Sequence, residues 1–295
     1  MTLRSEYVGR FAPSPSGPLH LGSLSTALCS YLHAHQHEGR WLLRIEDIDQ
    51  PRCVAGADEA IVATLQAHGL HWDGELTYQT DFLAEYQQAL DTLETATYPC
   101  DCTRAQIKTR TSSGVYDGHC RQKKMLAKPN ALRFRHNEHI ATFTDSLFGK
   151  VCVEDAHCLD DFIVKRKDGL FAYNLVVVVD DIRQGVNHIV RGADLIDTTP
   201  SHLALYRALK QPPPHYMHVP VLCTAPNTKL SKQNHAPAID DTVANSNLHQ
   251  VLTLLGFKLP RKDDLSSVSA TLEWAKQHAL IDNLTPKREI IVESL

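Results

Sequence analysis

No apolar run in this chain approaches the roughly 18 consecutive residues that a membrane-crossing helix needs, and the opening MTLRSEYVGRF lacks the apolar core of a secretory signal. A spanning protein and an exported one are both unexpected, which leaves the cytoplasm as the default compartment and no membrane partner. Positive net charge is missing as well. The 295 residues sum to −4 at pH 7, which argues against indiscriminate binding to nucleic acid. There is no internal repeat and no low-complexity tract, so neither a solenoid nor a biased disordered chain is expected.

What is present fits a soluble globular protein, with 43% hydrophobic and 22% charged residues. The length exceeds one compact domain, so two or three packed units are expected. Of the eight cysteines, those at 29, 53, 152, 158 and 223 stand alone and read as small buried hydrophobes of a reducing compartment. Cys100, Cys102 and Cys120 lie together. The same region concentrates positive charge: residues 98–170 hold 13 Lys and Arg against 9 Asp and Glu, a local balance of +4 that leaves −8 for the rest. This segment is a candidate for contact with phosphates, or simply a solvated mixed surface.

Along the chain, EYVGRFA reads as a strand, and Leu21, Leu24, Leu28 and Leu32 recur at helical spacing after the loop PSPSGP. WLLRIED is a second strand, and Ala57 to His68 a helix stopped by Gly69. This order opens a parallel α/β sheet. A helix from Asp81 to Ala96 precedes YPCDC, where the pattern breaks into short β segments such as ALRFRH and CVEDAHCL. NLVVVVDDI then reads as a continuous apolar strand buried on both faces, with two aspartates at its carboxyl end. A helix near Ser201 to Leu209 and the PPP break lead to a last, largely helical section from Val221.

The stretch FAPSPSGPLHLGS, residues 11–23, puts strong backbone control immediately before a helix. Open α/β sheets bind ligands at the carboxyl ends of their strands, where helix N-termini attract phosphate. Gly22 would admit a ligand close to the backbone, and His20 can donate to a phosphate oxygen. The segment alone also reads as a rigid surface turn. Farther on, TKLSKQN at 228–234 sets Lys229 and Lys232 around Leu230 and Ser231, in a stretch that looks too polar for core.

In this order and separation, HLGS and KLSK resemble the two signature sequences of class I aminoacyl-tRNA synthetases. RFAPSPSGPLHLGSL, LRIEDIDQPR, DDFIVKRKDGLFAYNLVVVVDDIRQGVNHIVRGADL, TPSHLALYRAL and HVPVLCTAPNTKLSKQN resemble successive blocks of the catalytic half of glutamyl-tRNA synthetases, over about three quarters of the chain. Only 63 residues follow Lys232, too few for a helical anticodon-binding region. A catalytic half standing alone is similar to the glutamyl-queuosine tRNA(Asp) synthetase family. The resemblance implies activation of glutamate with ATP and transfer to the cyclopentene-diol of queuosine in the anticodon arm of tRNA(Asp). A short glutamyl-tRNA synthetase charging a 3′ end and a non-catalytic tRNA-binding paralogue are the competing expectations.

By this resemblance, L-glutamate binds along Arg10, Phe11, Ala12, Pro13, Ser14, Glu46, Tyr173 and Arg191. Arg10 and Arg191, with Tyr173, take its side-chain carboxylate, and Ser14 and Glu46 face the ammonium end. ATP with Mg²⁺ lies over His20, Gly22, Ser23, Lys229, Ser231 and Lys232, with His20 and Lys232 catalytic. Ser23 stands where many class I enzymes have a second histidine, and Leu230 where methionine is usual. A structural zinc on Cys100, Cys102 and Cys120 lacks one ligand. Imidazole chemistry favours His119, while the family pattern places a tyrosine at Tyr116. Three reduced cysteines without metal remain the alternative. The implied fold is a Rossmann-type α/β domain at 1–97 and 171–220, split by a zinc-bearing insert at 98–170 that contacts tRNA and followed by a helical part at 221–295. A monomer is expected.

Overall fold

The computed structural model describes residues 6–111, 115–123, 130–154, 158, 160–230 and 236–292. The first strand, β1 (Val8–Phe11), runs into the Pro- and Ser-rich loop and then into helix α1 (Leu21–Gln36). Leu24, Ala27, Leu28 and Leu32 of α1 are fully buried, as their spacing requires. β2 (Arg40–Ile45), α2 (Ala57–Ala67) and β3 (Thr77–Tyr78) complete a three-stranded parallel sheet in the order β1-β2-β3. Gly69 follows α2 with φ +70°, a left-handed conformation open to glycine at no steric cost.

After α3 (Leu83–Thr92), β4 (Thr97–Cys100) leads into α4 (Arg104–Arg110), whose start is closed by a reciprocal capping box between Thr103 and Gln106. β5 (Ala131–Phe134) and β8 (Ile163–Lys165) join β4 in a small antiparallel sheet. Between them, the hairpin β6 (Thr142–Asp145) and β7 (Gly149–Cys152) leaves this sheet and extends another.

The NLVVVVDDI segment is not a strand. It forms α5 (Tyr173–Arg183), and Val176, Val177 and Val178 are buried on successive faces. An apolar run of this length fits a helix enclosed on all sides as well as a central strand. The strand at this point of the chain is β9 (His188–Gly192). Following α6 (Thr199–Ala208), β10 (His215–Val219) pairs in parallel with β9 and with β6, giving the order β7-β6-β10-β9. Asn187 donates its backbone N–H to Val8 O at 3.0 Å and its side-chain oxygen accepts the N–H of Val8 at 2.8 Å, fastening the parallel sheet to this mixed one edge to edge.

β11 (Val221–Ala225), β12 (Thr228–Lys229) and β13 (Glu289–Ile291) form a last small sheet accompanied by α7 (Ala244–Leu254) and α8 (Val268–His278). α1 packs against β1, β9, β11, α7 and α8. Leu230, expected in a polar stretch, is buried in this core. Among the single cysteines, Cys29, Cys158 and Cys223 are buried as expected; Cys152 is exposed and Cys53 half-buried. No helix among the described residues is long and apolar enough to cross a membrane.

The aspartates of α5 sit in its last turn, where the helix dipole disfavours them. They persist because Arg44 of β2, fully buried, lies 2.9 Å from Asp181 Oδ1 and 3.5 Å from Asp180 Oδ2, while Arg10 Nε of β1 donates to Asp181 at 3.3 Å. Gln79 and Tyr86 donate to Asp180 at 3.0 and 2.9 Å. Arg44→Ala leaves both carboxylates in a dry site with one partner fewer, and should cost about 3–5 kcal/mol. Urea unfolding checks this against Arg40→Ala, whose exposed pair with Glu6 should cost under about 1 kcal/mol; equal losses would show that the buried junction does not hold the helix.

Candidate active site

The loop after β1, the start of α1, the end of β2, the start of α5 and the end of β9 surround a cleft of about 330 Å³. Arg10, Phe11, Ala12, Pro13, Ser14, Glu46, Tyr173 and Arg191 line it, and so do His20, Gly22, Ser23 and Lys229. Residues separated by up to 219 positions thus share one space at the carboxyl ends of parallel strands. Ser231 and Lys232 lie outside the described residues.

His20 caps α1. Its Nδ1 accepts from the backbone N–H of Ser23 at 3.2 Å, and its Nε2 is 3.0 Å from the Ser23 hydroxyl. The serine in place of a second histidine therefore touches the ring of the first. A Cβ on Gly22 would stand 3.2 Å from the His20 ring and 3.4 Å from the carbonyl oxygen of Leu230. The tight contact is with the His20 ring, while Leu230 of the second signature segment stands at ordinary van der Waals distance. Lys229 Nζ pairs with Asp194 Oδ2 at 2.6 Å.

Arg191 is buried, and each of its nitrogens is committed. Nε donates to His218 Nε2 at 3.0 Å, Nη1 meets His202 Nδ1 at 3.0 Å, and Nη2 donates to Thr199 Oγ1 at 2.9 Å and Leu195 O at 3.2 Å. A guanidinium only donates, so both histidines accept from it. Their outer nitrogens then carry the protons: His218 Nδ1 donates to Asp145 Oδ2 at 2.7 Å and His202 Nε2 to Asn174 Oδ1 at 3.1 Å. Among the described residues no carboxylate lies within ion-pair reach of Arg191. The cleft thus holds a buried cation whose partners are neutral. Glu46, nearly buried, is pushed up to about 7 by burial, against the pull of Arg44 and Arg10.

The family model for the catalytic domain of class I tRNA synthetases (E and Q) matches residues 6–268. A protein of Serratia proteamaculans named glutamyl-Q tRNA(Asp) synthetase is 47% identical over 288 residues, 97% of this chain and 94% of the relative. One of the same name from Idiomarina loihiensis is 48% identical over 92% of this chain and 96% of the relative. The chain belongs to the glutamyl-Q tRNA(Asp) synthetase family of class I tRNA synthetases. Glutamate-tRNA synthetase of Elizabethkingia anophelis, at 21% identity, superposes with a TM-score of 0.79 over 98% of this chain and 69% of that one; this likeness concerns the fold.

Within this family member, several cleft residues carried no local signal in the sequence. Gly192 ends β9 and Asp194 follows it, and both line the cleft. A Cβ on Gly192 would fall 2.5 Å from the Asp194 carboxylate and 2.8 Å from Val221 Cγ1, so any larger residue there would have to displace one or both side chains. His202, His218 and Thr199 come from two elements and meet at Arg191, and Asp145 of a third reaches it through His218. Reading α5 as a strand also hid the support that Asp181 gives to Arg10.

At the end of β4 and in the segment after it, the sulfurs of Cys100, Cys102 and Cys120 lie within 4.8 Å of one another. Cys102 and Cys120 are 3.5 Å apart, and the Tyr116 hydroxyl is 3.5 Å from Cys100 Sγ. Arg133 and Arg110 donate to Cys100 and Cys102 at 3.2 and 3.4 Å. Burial raises the Cys100 thiol, but the Tyr116 hydroxyl, the Cys102 backbone and Arg133 outweigh it and the net shift is downward. Three clustered sulfurs, one of them favoured as thiolate, are a donor set that can hold a metal ion. His119 lies beside Cys120 but is not part of this group.

Burial first, and then Arg191, lower His218 to about 4 against the opposing hold of Asp145. The unfolded chain binds the proton near 6.5, so this group's contribution is complete above that value and is lost as pH falls toward 4. The loss should be on the order of 3 kcal/mol. His218→Gln should start less stable and lose correspondingly less between pH 6.5 and 4; parallel stability curves for the two proteins would refute a neutral His218 under Arg191.

Proposed function

We propose that the protein activates L-glutamate with ATP and transfers the glutamyl group to the cyclopentene-diol of queuosine at the wobble position of tRNA(Asp). The choice of acceptor rests on the name shared by relatives that match nearly the whole chain. The observation that carries glutamate is Arg191, a buried guanidinium with neutral partners beside the cleft. An anionic side chain would complete it, with Arg10 and Tyr173 alongside. A neutral amide would leave the charge uncompensated, which supports discrimination against glutamine.

In the first step a carboxylate oxygen of the glutamate main-chain end attacks the α-phosphorus of ATP. The bond to pyrophosphate breaks, leaving glutamyl-adenylate. A diol hydroxyl then attacks the acyl carbon and AMP departs. On this reading the chain supplies position and charge: Glu46 faces the ammonium, Phe11, Ala12, Pro13 and Ser14 form the backbone wall, and Gly22 and Ser23 lie under the nucleotide. His20 and Lys229 meet the phosphates. Ser231 and Lys232 are assigned to the same phosphates from the KLSK motif. Mg²⁺ carried in with ATP would supply charge neutralisation for the pyrophosphate.

Zinc held by Cys100, Cys102, Cys120 and Tyr116 would be structural, tying together an insert with a small core of its own. The positive balance of that insert supports contact with the anticodon arm.

The deciding assay uses labelled glutamate, ATP and two tRNA(Asp) samples, one with queuosine and one with guanosine at the wobble position. The 3′ ribose of both is first oxidised under conditions that spare the queuosine diol. Label is expected on the queuosine sample alone; label on neither, with glutamate-dependent ATP–pyrophosphate exchange intact, would exclude queuosine as the acceptor. A second expectation concerns Glu46. Below about pH 7 it takes up a proton and ceases to offset the substrate ammonium, so the KM for glutamate should rise as pH falls. Glu46→Gln should have a high KM that no longer follows pH; an unchanged slope would remove Glu46 from this role.

A further inference from the structure

The end of α1 opposite the cleft, about 24 Å away at 1.5 Å per residue, carries the run LHAHQH. His33 and His37 are four residues apart and so share one face of the helix. Both meet Asp282, which sits in the short turn Ile281–Asn283 between α8 and β13. His33 Nε2 is 3.2 Å from Oδ1 of that carboxylate and His37 Nε2 is 3.6 Å from Oδ2. The three ligand atoms lie within 4.8 Å of one another. His33 is buried, whereas His37 and Asp282 face solvent.

The protons in this cluster are constrained. His37 Nδ1 is 2.9 Å from the carbonyl oxygen of His33. A carbonyl accepts only, so Nδ1 carries the proton and a neutral His37 turns its Nε2 lone pair toward a carboxylate oxygen. Two acceptors facing each other need a cation between them. His33 has Nδ1 2.6 Å from the Tyr7 hydroxyl, which can donate to it, and Nε2 toward Asp282, so the lone pair turned on the carboxylate is fixed for His37 alone. Each ring thus spends one nitrogen on an internal partner and directs the other at the shared carboxylate, as metal-binding histidines do.

The spacings agree. Charge-assisted hydrogen bonds close to about 2.7–2.9 Å, shorter than either contact here. Ligands bound at about 2.0–2.2 Å around a tetrahedral centre stand roughly 3.3–3.6 Å apart, close to the two observed distances. The turn bearing Asp282 is also held in place, because Gln36 of α1 accepts from Ile281 N at 3.1 Å and donates to Ala279 O at 3.0 Å.

We propose that His33, His37 and Asp282 form a metal site, separate from the cysteine cluster, for a divalent ion of the zinc type with water completing its coordination. The ion clips the turn after α8 to α1, joining positions 33 and 37 to position 282. It takes no part in the chemistry of the cleft.

Cobalt(II) is the probe, added to the full-length protein as isolated, with the cysteine cluster left as it is. The expected result is one additional equivalent bound, giving weak visible bands without sulfur-to-metal charge transfer and displaced by zinc. The site should bind at least about tenfold more weakly in His37→Ala and in Asp282→Ala, two exposed positions whose replacement leaves the fold and the ATP–pyrophosphate exchange intact. Zinc should raise the melting temperature of the wild type and not of these variants. Bands that persist in both variants, bands of sulfur character alone, or no uptake at millimolar cobalt would overturn the assignment; the last result would mean that a proton bridges the cluster.

Discussion

Two guanidiniums and three carboxylates share one dry junction beneath the cleft, and the positions of the other site residues depend on it. Arg44 stands in the middle of β2 with Asp180, Asp181 and Glu46 around it, and Arg10 on the neighbouring strand shares Asp181. Burial works against the charge of Arg44, and Asp181, Asp180 and Glu46 outweigh it, so the net shift is upward. The junction ties the last turn of α5 to β1 and β2. Because Tyr173 opens the same helix, this fastening also sets one wall of the cleft.

A second buried cation is treated in the opposite way. Arg44 is surrounded by negative charge, whereas Arg191 is held by two imidazoles, a hydroxyl and a carbonyl. These partners fix its orientation without consuming its charge. Asp145 acts at one remove, accepting from His218 and from the backbone N–H groups of Leu147 and Phe148 in the β6–β7 hairpin. The hairpin lies in the chain between β5 and β8 of the small antiparallel sheet and still supports a residue of β9, so this region is joined to the cleft by structure as well as by chain.

α1 connects three levels of the molecule. Its first turn, capped by His20, meets the cleft. Its middle forms the centre of the core with Leu24, Leu28 and Leu32. Its last turn carries the histidines that face Asp282. The helix N-terminus offers unpaired N–H groups and partial positive charge where phosphates are expected, while the far end, of opposite polarity, suits a cation.

The sequence by itself determined the opening strand-loop-helix-strand unit, the order and spacing of the two signature segments and the clustering of three cysteines. Each depends on near neighbours: helical spacing of leucines, prolines and glycines in a loop, thiols two residues apart. The tertiary structure decided the rest. It made 173–183 a helix, since a run of valines buries equally well in either form and only the surrounding elements distinguish them. It brought His202, His218 and Thr199 to Arg191, Asp145 to His218, and Asp282 to His33 and His37, from positions up to 249 residues apart. Hydrogen bonds between side chains so distant in sequence leave no periodic trace, because they are selected by the geometry of packed elements and not by the segments that supply them.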